Sequence, residues 1–242
     1  MKKKLFLLLL FLCPVFAGSA FQFRIGEQFR YKIKVMGIHV GFQDMALKGY
    51  RTLNGKRYLY AVADTRSLPF IEKVYKYVLH DVIEVWMEPD TLLPVLIKKD
   101  IHEGSWKNKI TIVMDQKKRT AIYYDKRNKK GKKYTLQGPT LDLLSMIYYL
   151  RSRKPGNRKI KINYFDEKKG VTETEIDIRR SGSVKIHSGL EIPVYMYSQR
   201  RGHKIQVKLT GDKHRFPIKI TVATFQVHGY SIDIVGTLLK IK

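Results

Sequence analysis

The chain has 242 residues and a formal net charge of +26, with 44% hydrophobic and 12% aromatic residues. This composition is typical of a globular protein and excludes an intrinsically disordered one. A single cysteine, Cys13, excludes a disulfide framework within the chain.

The first twenty residues are typical of a secretory signal peptide. Three lysines precede the apolar run Leu5–Phe16, and small residues follow it at Ala17–Ala20. A membrane-spanning helix needs about 20 apolar residues, so this run is too short to be a permanent anchor. We therefore expect cleavage of residues 1–20, and a single β-rich domain over 21–242 that is exported to the periplasm or the cell envelope.

Attachment of a lipid at Cys13 is not expected, because the bulky residues Phe11 and Leu12 precede it instead of a small one. Removal of the signal peptide also leaves a mature chain with no cysteine, and so without a thiol nucleophile. No second apolar stretch reaches membrane-spanning length, so we expect no transmembrane segment in the mature chain.

The positive charge has two interpretations. Without Lys2, Lys3 and Lys4 the formal charge falls by three to +23, which still creates a field that attracts anionic partners. Outside the cytoplasm those partners are lipid head groups, lipopolysaccharide or acidic wall polymers, and nucleic acid is not expected. The alternative is a lysine-rich proteome in which the lysines are solvated surface residues.

Alternation of apolar and polar residues predicts antiparallel strands along most of the chain. The pattern is clear in Tyr31–Val35, Phe216–Val222 and residues 173–178. Turn signals such as Asn54–Gly55 separate these segments, and their spacing predicts about a dozen strands in meander order. A short helical turn is expected over Leu68–Tyr75.

Further hairpin turns are expected where glycine follows lysines, at 129–131 and at 168–170.

One segment, Leu141–Arg151, has helical character. We expect Thr140 to cap its start and Pro155–Gly156 to end it. Its apolar residues occupy nearly all sides, which is typical of a buried helix. The sequence therefore predicts a mainly β fold: a large, curved antiparallel sheet or an open β-barrel packed around one buried helix.

No catalytic, cofactor or metal site emerges from the motifs. The seven histidines form no metal-binding pair, and no nucleophile elbow or phosphate loop occurs. Ser145 lies inside the apolar helix, where its hydroxyl is expected to bond back to a carbonyl group. The alternating carboxylates Glu173, Glu175 and Asp177 suggest a solvated strand face rather than a glycosidase pair.

Six basic residues form the densest charge cluster, which is predicted to lie at a hairpin tip. They are a possible contact for an anionic surface, at ~1 kcal/mol each, or simply an exposed turn. The six are Lys126, Arg127, Lys129, Lys130, Lys132 and Lys133.

Several short motifs together resemble a bacterial exported family known as domain of unknown function 3108. The segment Gly26–Tyr31, followed by Gly37 and Gly41, is similar to the start of that family. The helix residues Asp142, Ser145 and Arg151 resemble its middle, and Gly211–Pro217 resembles a step between strands near its end. The resemblance covers nearly the whole mature chain and implies an exported β-rich domain without an assigned reaction. It implies structural roles for Asp142, Ser145, Arg151, Asp212 and Arg215, and no catalytic residue.

We expect a non-catalytic envelope protein that binds an amphiphile, a lipid or an envelope partner in or on the curved sheet, with no cofactor. The residues expected to line an apolar cavity are Leu144, Ile147, Tyr148, Trp86 and Trp106. Two alternatives are a hydrolase with a site assembled from distant strands and a purely structural scaffold.

Overall fold

The structure is a computed structural model that describes residues 23–167, 169–185, 189–199, 205–227 and 230–242, without the side chains at 224–227 and 230–232. The predicted signal peptide, residues 1–20, lies outside the described residues.

The described chain contains fifteen strands and two helices. In chain order they are β1 (Gln28–Val35), β2 (Ile38–Leu53), β3 (Lys56–Ser67), α1 (Pro69–Tyr75), β4 (His80–Met87), β5 (Pro94–Glu103), β6 (Trp106–Asp115), β7 (Thr120–Asp125), β8 (Lys130–Thr135), β9 (Thr140–Leu141), α2 (Leu143–Ser152), β10 (Arg158–Asp166), β11 (Gly170–Lys185), β12 (Glu191–Gln199), β13 (Ile205–Thr210), β14 (Pro217–Val227) and β15 (Tyr230–Ile241). Neither helix is long and apolar enough to cross a bilayer, within the part of the chain that the structure describes.

All fifteen strands belong to one sheet, and the predicted mainly β fold is confirmed. Consecutive strands pair antiparallel from β1 to β8 and from β10 to β15, which is the expected meander. The first and last strands, β1 and β15, also pair and join the two runs, whereas the short β9 is parallel to β10. The order therefore begins at β8 and ends at β9, so these two are the edge strands.

Alternation along the strands places one apolar face inside the curved sheet. In β1, Phe29, Tyr31 and Ile33 are buried, while Arg30 between them faces outward. Inward residues from both runs of strands and from α2 form one continuous core. The fold thus follows directly from the period-two pattern of the sequence.

Of the predicted turns between strands, the one at Asn54–Gly55 is confirmed and the one at 129–131 was misplaced. Asn54 and Gly55 both have positive φ (49° and 77°) between β2 and β3, as a type I′ turn requires. The next expected turn was misplaced: the chain reverses at residues 126–129, and Gly131 lies within β8. Lysine side chains gave no local signal for where this exposed hairpin turns.

Helix α2 lies inside the sheet, as its apolar sequence predicted. Leu144, Met146 and Leu150 are buried together with most of the helix. The predicted cap was wrong, because Asp142 rather than Thr140 occupies the N-cap. The Asp142 carboxylate accepts from the backbone N–H of Ser145 at 3.1 Å, and the Ser145 hydroxyl accepts from the N–H of Asp142 at 3.0 Å. This reciprocal pair is a capping box.

Side chains close the gap between the two edges of the sheet, a line that we call the seam. The Gln116 amide, between β6 and β7, donates to the carbonyl oxygen of Thr140 (2.9 Å) and accepts from its N–H (3.1 Å). On β8, the Tyr134 hydroxyl donates to the carbonyl oxygen of Glu167 at 2.9 Å, and its ring packs edge-on against Phe165. The curved sheet therefore becomes barrel-like, although no strand ladder joins β8 to β9.

Candidate ligand cavity

A cavity of about 490 Å³ lies inside the barrel-like sheet, between α2 and the strands around β1. This volume is within the range of about 300–1,000 Å³ that is usual for sites of small ligands. Its apolar wall consists of Ile33, Val35, Val40, Met45, Ala63, Leu79, Ile83, Ile97, Ile112, Leu143, Leu144, Ile147, Phe165, Ile220, Val222 and Ile234.

The cavity exists because several inward positions carry small residues. Ala63 and Thr65 on β3, and Gly236 on β15, line it with short side chains or none. At the opposite end of the sheet, the inward positions carry larger groups such as Tyr31, which is fully buried. Among the described residues, the large space in the interior therefore lies at the end with these short side chains.

The cavity reaches the end of the sheet where α1 and the turns β1–β2, β5–β6 and β7–β8 lie, which we call the open end. Leu79, Glu103 and Glu167, which border the connections at this end, all line the cavity. Helix α2 occupies the interior towards the other end, which we call the closed end. The helix is therefore a plug beneath the cavity, with its N-terminal residues Leu143 and Leu144 in the cavity wall.

The mouth of the cavity is polar and mostly acidic. Lys99 on β5 forms an ion pair with Glu167, and the two side chains are about one quarter exposed. The Asp81 carboxylate accepts a hydrogen bond from the backbone N–H of His102 at 3.0 Å. Among the described residues, the charged side chains that line the mouth are Asp81, Lys99, Glu103, Asp166 and Glu167.

Burial affects the ionisation of two groups in this wall. It raises the pKa of Asp81, an effect that the hydrogen bond from the His102 N–H, the hydrogen bond with the Glu103 carboxyl group and the charges of His80 and Lys99 partly offset. Burial also raises the pKa of the Tyr164 phenol, so that this group stays neutral in the cavity wall.

Two of the five residues expected to line a cavity do so. Leu144 and Ile147 lie in the wall. Tyr148 is fully buried but faces Phe23 across an edge-on ring contact, away from the described cavity lining. The expectation for Tyr148 was wrong because neighbouring positions on a helix face different directions.

The two tryptophans were also placed wrongly. Trp86 lies on the outer face of β4, where it packs with Tyr60 and Leu96 in a separate cluster. Trp106 begins β6 at the open end, is 38% exposed and lies beneath the guanidinium of Arg127 at 5.9 Å. Neither lines the described cavity, because residue size does not tell which face of a strand points inward.

The six residues of the predicted basic cluster are all exposed, at the β7–β8 hairpin of the open end. Lys130, Lys132 and Lys133 lie on the edge strand β8, where lysines discourage pairing with another chain. Lys126, Arg127 and Lys129 lie in the turn itself and are not part of β8.

The closed end is built around a buried ion pair. Arg151, near the end of α2, pairs with Glu27 through both terminal guanidinium nitrogens, and the two side chains are 1% and 4% exposed. Arg151 Nε donates to the carbonyl oxygen of Arg215 at 3.1 Å, and Arg215 Nη1 donates to that of Arg151 at 3.0 Å. Three rings surround the guanidinium, with centroids within 5.6 Å of its carbon: Phe23, Phe29 and Tyr148.

Other residues that the sequence analysis associated with chemistry lie in structural contacts. Asp212 accepts from the Thr210 hydroxyl and the backbone N–H of Arg215, which fixes the turn before β14. The acidic face of β11 pairs with basic neighbours: Glu175 with Lys159, Glu173 with Lys161, and Asp177 with Arg179.

The described histidines are scattered. The His80 ring lies 3.4 Å from the Asp64 carboxylate on a partly exposed surface, and His214 stacks on Phe216. Among the described residues, no group of three or more His, Cys, Asp or Glu side chains is arranged to hold a metal ion. The residues at 187, 203 and 228 lie outside the description.

The sequence matches a family model described as "Protein of unknown function (DUF3108)" over residues 30–233. The chain belongs to this family. That match confirms the resemblance carried by the glycine, helix and strand-step motifs. A search of the curated proteins found no significant match.

A search of the solved structures found matches to this chain, among them the following two. A β-barrel-like protein of domain of unknown function DUF1849 from Brucella abortus has 9% sequence identity and a TM-score of 0.56, over 90% of this chain and 97% of that chain. This similarity supports the barrel-like fold of the DUF3108 protein. A DUF1089 family protein from Pseudomonas aeruginosa has 10% identity and a TM-score of 0.39, over 76% of this chain and 89% of that chain.

Proposed function

We propose that this DUF3108 protein is an exported, non-catalytic carrier that holds the apolar part of an amphiphile in the cavity. The observation that carries the proposal is the cavity of about 490 Å³, which has an apolar wall and a charged mouth. An amphiphile matches this arrangement because its chain would contact the wall and its polar group would remain at the mouth.

The size of the cavity supports an occupant. At ~24 cal/mol per Å³, an empty apolar space of this volume would cost on the order of 10 kcal/mol. That is comparable with the whole stability of a typical domain, about 5–15 kcal/mol. Water or a ligand therefore fills the space, and an apolar ligand gains free energy by displacing water from the wall.

Binding is tested with the neutral probe N-phenyl-1-naphthylamine, whose fluorescence rises in apolar surroundings. Wild-type protein is expected to bind it, and Ala63→Phe should raise the Kd by roughly tenfold or more because the ring occupies part of the cavity and narrows the rest. Val62→Phe is the matched control, since Val62 neighbours Ala63 but packs against the outer cluster. Equal binding by the two variants, or none by wild type, would overturn the proposal.

Export is supported by the lysines and the apolar run of the first twenty residues. Expression of the full chain in a Gram-negative host, followed by fractionation and mass spectrometry, should yield a mature periplasmic protein that begins near Gly18 or Phe21. A full-length chain in the cytoplasm would contradict export without affecting the binding test.

A further inference from the structure

Exposed apolar side chains are concentrated at the open end, beside the cavity mouth. In and after α1, four such side chains are between 43% and 65% exposed: Phe70, Val74, Tyr75 and Tyr77. At the neighbouring β1–β2 turn, Met36 and Ile38 are 74% and 61% exposed. We call these six residues the apolar rim. Exposed groups of this kind mark interaction sites.

The rim is held firmly by the sheet. Ile71 is buried beneath α1, and the Glu72 carboxylate accepts a hydrogen bond from the Ser67 hydroxyl at 2.7 Å. The N–H of Leu68 donates to the carbonyl oxygen of Val40 at 2.9 Å, which ties the start of α1 to β2. The exposed side of this helix therefore has a defined orientation.

The rim continues into the basic hairpin through a chain of contacts. The Tyr77 ring packs against Gly104, whose N–H donates to the carbonyl oxygen of Val78 at 2.8 Å. Trp106 follows two residues later, and Arg127 of the hairpin lies over its ring. Apolar, aromatic and basic groups thus form one surface along the open end.

The charge of this surface favours an anionic partner. Lys73 and Lys76 accompany the apolar side chains of α1, and the hairpin turn adds Lys126, Arg127 and Lys129. The mouth itself carries four acidic residues, Asp81, Glu103, Asp166 and Glu167, of which Glu167 pairs with Lys99, so the attraction to an anionic partner comes from α1 and the hairpin. Aromatic side chains next to basic ones are the usual composition of a protein surface at a lipid–water interface.

We infer that the open end docks on an anionic phospholipid bilayer, with the apolar rim in the interface and the hairpin on the head groups. This places the cavity mouth against the membrane. The inference extends the proposed function but does not require that the cavity hold a ligand.

Flotation with vesicles tests the inference. Wild-type protein, expressed as the mature chain, is expected to bind vesicles of mixed phosphatidylglycerol and phosphatidylcholine, and to bind phosphatidylcholine alone weakly. Binding should fall with added salt, because screening weakens the charge contribution. Equal binding to both vesicle types, or no binding at low salt, would overturn the inference.

Two sets of variants locate the contact. The triple variant Phe70→Ser/Val74→Ser/Tyr75→Ser and the double variant Lys126→Gln/Lys129→Gln should each weaken partitioning by roughly tenfold or more. The controls place the same changes elsewhere: Val113→Ser/Ile122→Ser/Leu239→Ser on other exposed apolar positions, and Lys117→Gln/Lys118→Gln at the β6–β7 turn. Losses of the same size in the controls would overturn the assignment of the open end.

Two further measurements separate the outcomes. Light scattering gives the oligomeric state, and a wild-type dimer that the triple variant converts to a monomer would assign the rim to a second copy of the chain instead. Ala63→Phe should keep full vesicle binding. Wild-type protein that floats with the vesicles but does not bind the probe would refute only the cavity proposal. Wild-type protein that binds the probe but does not float would refute only membrane docking.

Discussion

The two ends of the molecule use charge in opposite ways. At the closed end, Arg151 and Glu27 are almost completely buried, and aromatic rings and backbone carbonyl groups surround them. At the open end, Lys99 and Glu167 are partly exposed beside an apolar cavity. A buried ion pair needs full hydrogen bonding to offset its desolvation, whereas an exposed pair does not.

Under the proposed function, this difference separates the structural end of the sheet from the binding end. The closed end joins α2 to the segment before β1 and to the turn before β14, so one side chain, Arg151, links three parts of the chain. The open end has small inward residues, unfilled volume and exposed apolar groups. Substitutions should therefore affect folding at the closed end and binding at the open end.

Loss of the buried charge at the closed end should have the largest effect. Arg151→Leu leaves the Glu27 carboxylate buried and unpaired, which should lower the free energy of unfolding by about 3–5 kcal/mol. Urea denaturation followed by fluorescence measures this loss. The double variant Glu27→Leu/Arg151→Leu should recover much of it, because neither charge then remains.

The exposed pair between Lys56 and Glu88 provides the control. Lys56→Gln should change the stability little, since solvent already screens that interaction. An Arg151→Leu variant as stable as Lys56→Gln would contradict the view that the closed end is the structural anchor.

A pair of alanines on β3 tests whether the open end has spare volume. Ala61 is fully buried in the packed core, whereas Ala63 lines the cavity. Ala61→Leu should cost about 1–3 kcal/mol through overpacking, and Ala63→Leu should cost much less. Equal losses in thermal or urea denaturation would mean that the cavity is not available space.

The smallest effect concerns Asp81 at the mouth. Burial raises its pKa in the folded state above the unfolded value, so the folded protein binds the proton more tightly. Ionisation of Asp81 therefore lowers the free energy of unfolding as the pH rises from the pKa of the unfolded state to the raised pKa of the folded state. At higher pH the loss remains. Asp81→Asn removes this effect, and the variant should gain stability relative to wild type over the same pH range.

Unfolding in urea at several pH values measures the difference. A stability difference that does not change with pH would show that the Asp81 carboxyl is not desolvated. Glu173→Gln is the control, because that carboxylate is exposed on the face of β11.

Sequence patterns predicted the sheet and the helix well because both depend on local periodicity. Which residues are buried can be read directly from the alternation in β1 and β11 and from the apolar sides of α2. The cap was missed because Thr140 and Asp142 both suit an N-cap, and only the reciprocal bond with Ser145 distinguishes them.

The cavity was only partly predictable. In β4 the segment Val82–Met87 is apolar at five of six positions, so alternation does not reveal that Trp86 faces outward. The volume beside Ala63 depends on β15 and α2, which are distant in sequence. The apolar rim had one usable signal, since Tyr75, Lys76 and Tyr77 alternate aromatic and basic side chains at the end of the predicted helical turn.

The seam gives this barrel a property that a fully hydrogen-bonded one lacks. Between its outermost strands, the Gln116 amide and the Tyr134 hydroxyl replace a ladder of main-chain bonds. Elsewhere, enlarging the circumference would require the rupture of a whole strand pairing. Along this line a few side-chain rotations suffice, so the circumference should be easier to enlarge here than at any strand pairing.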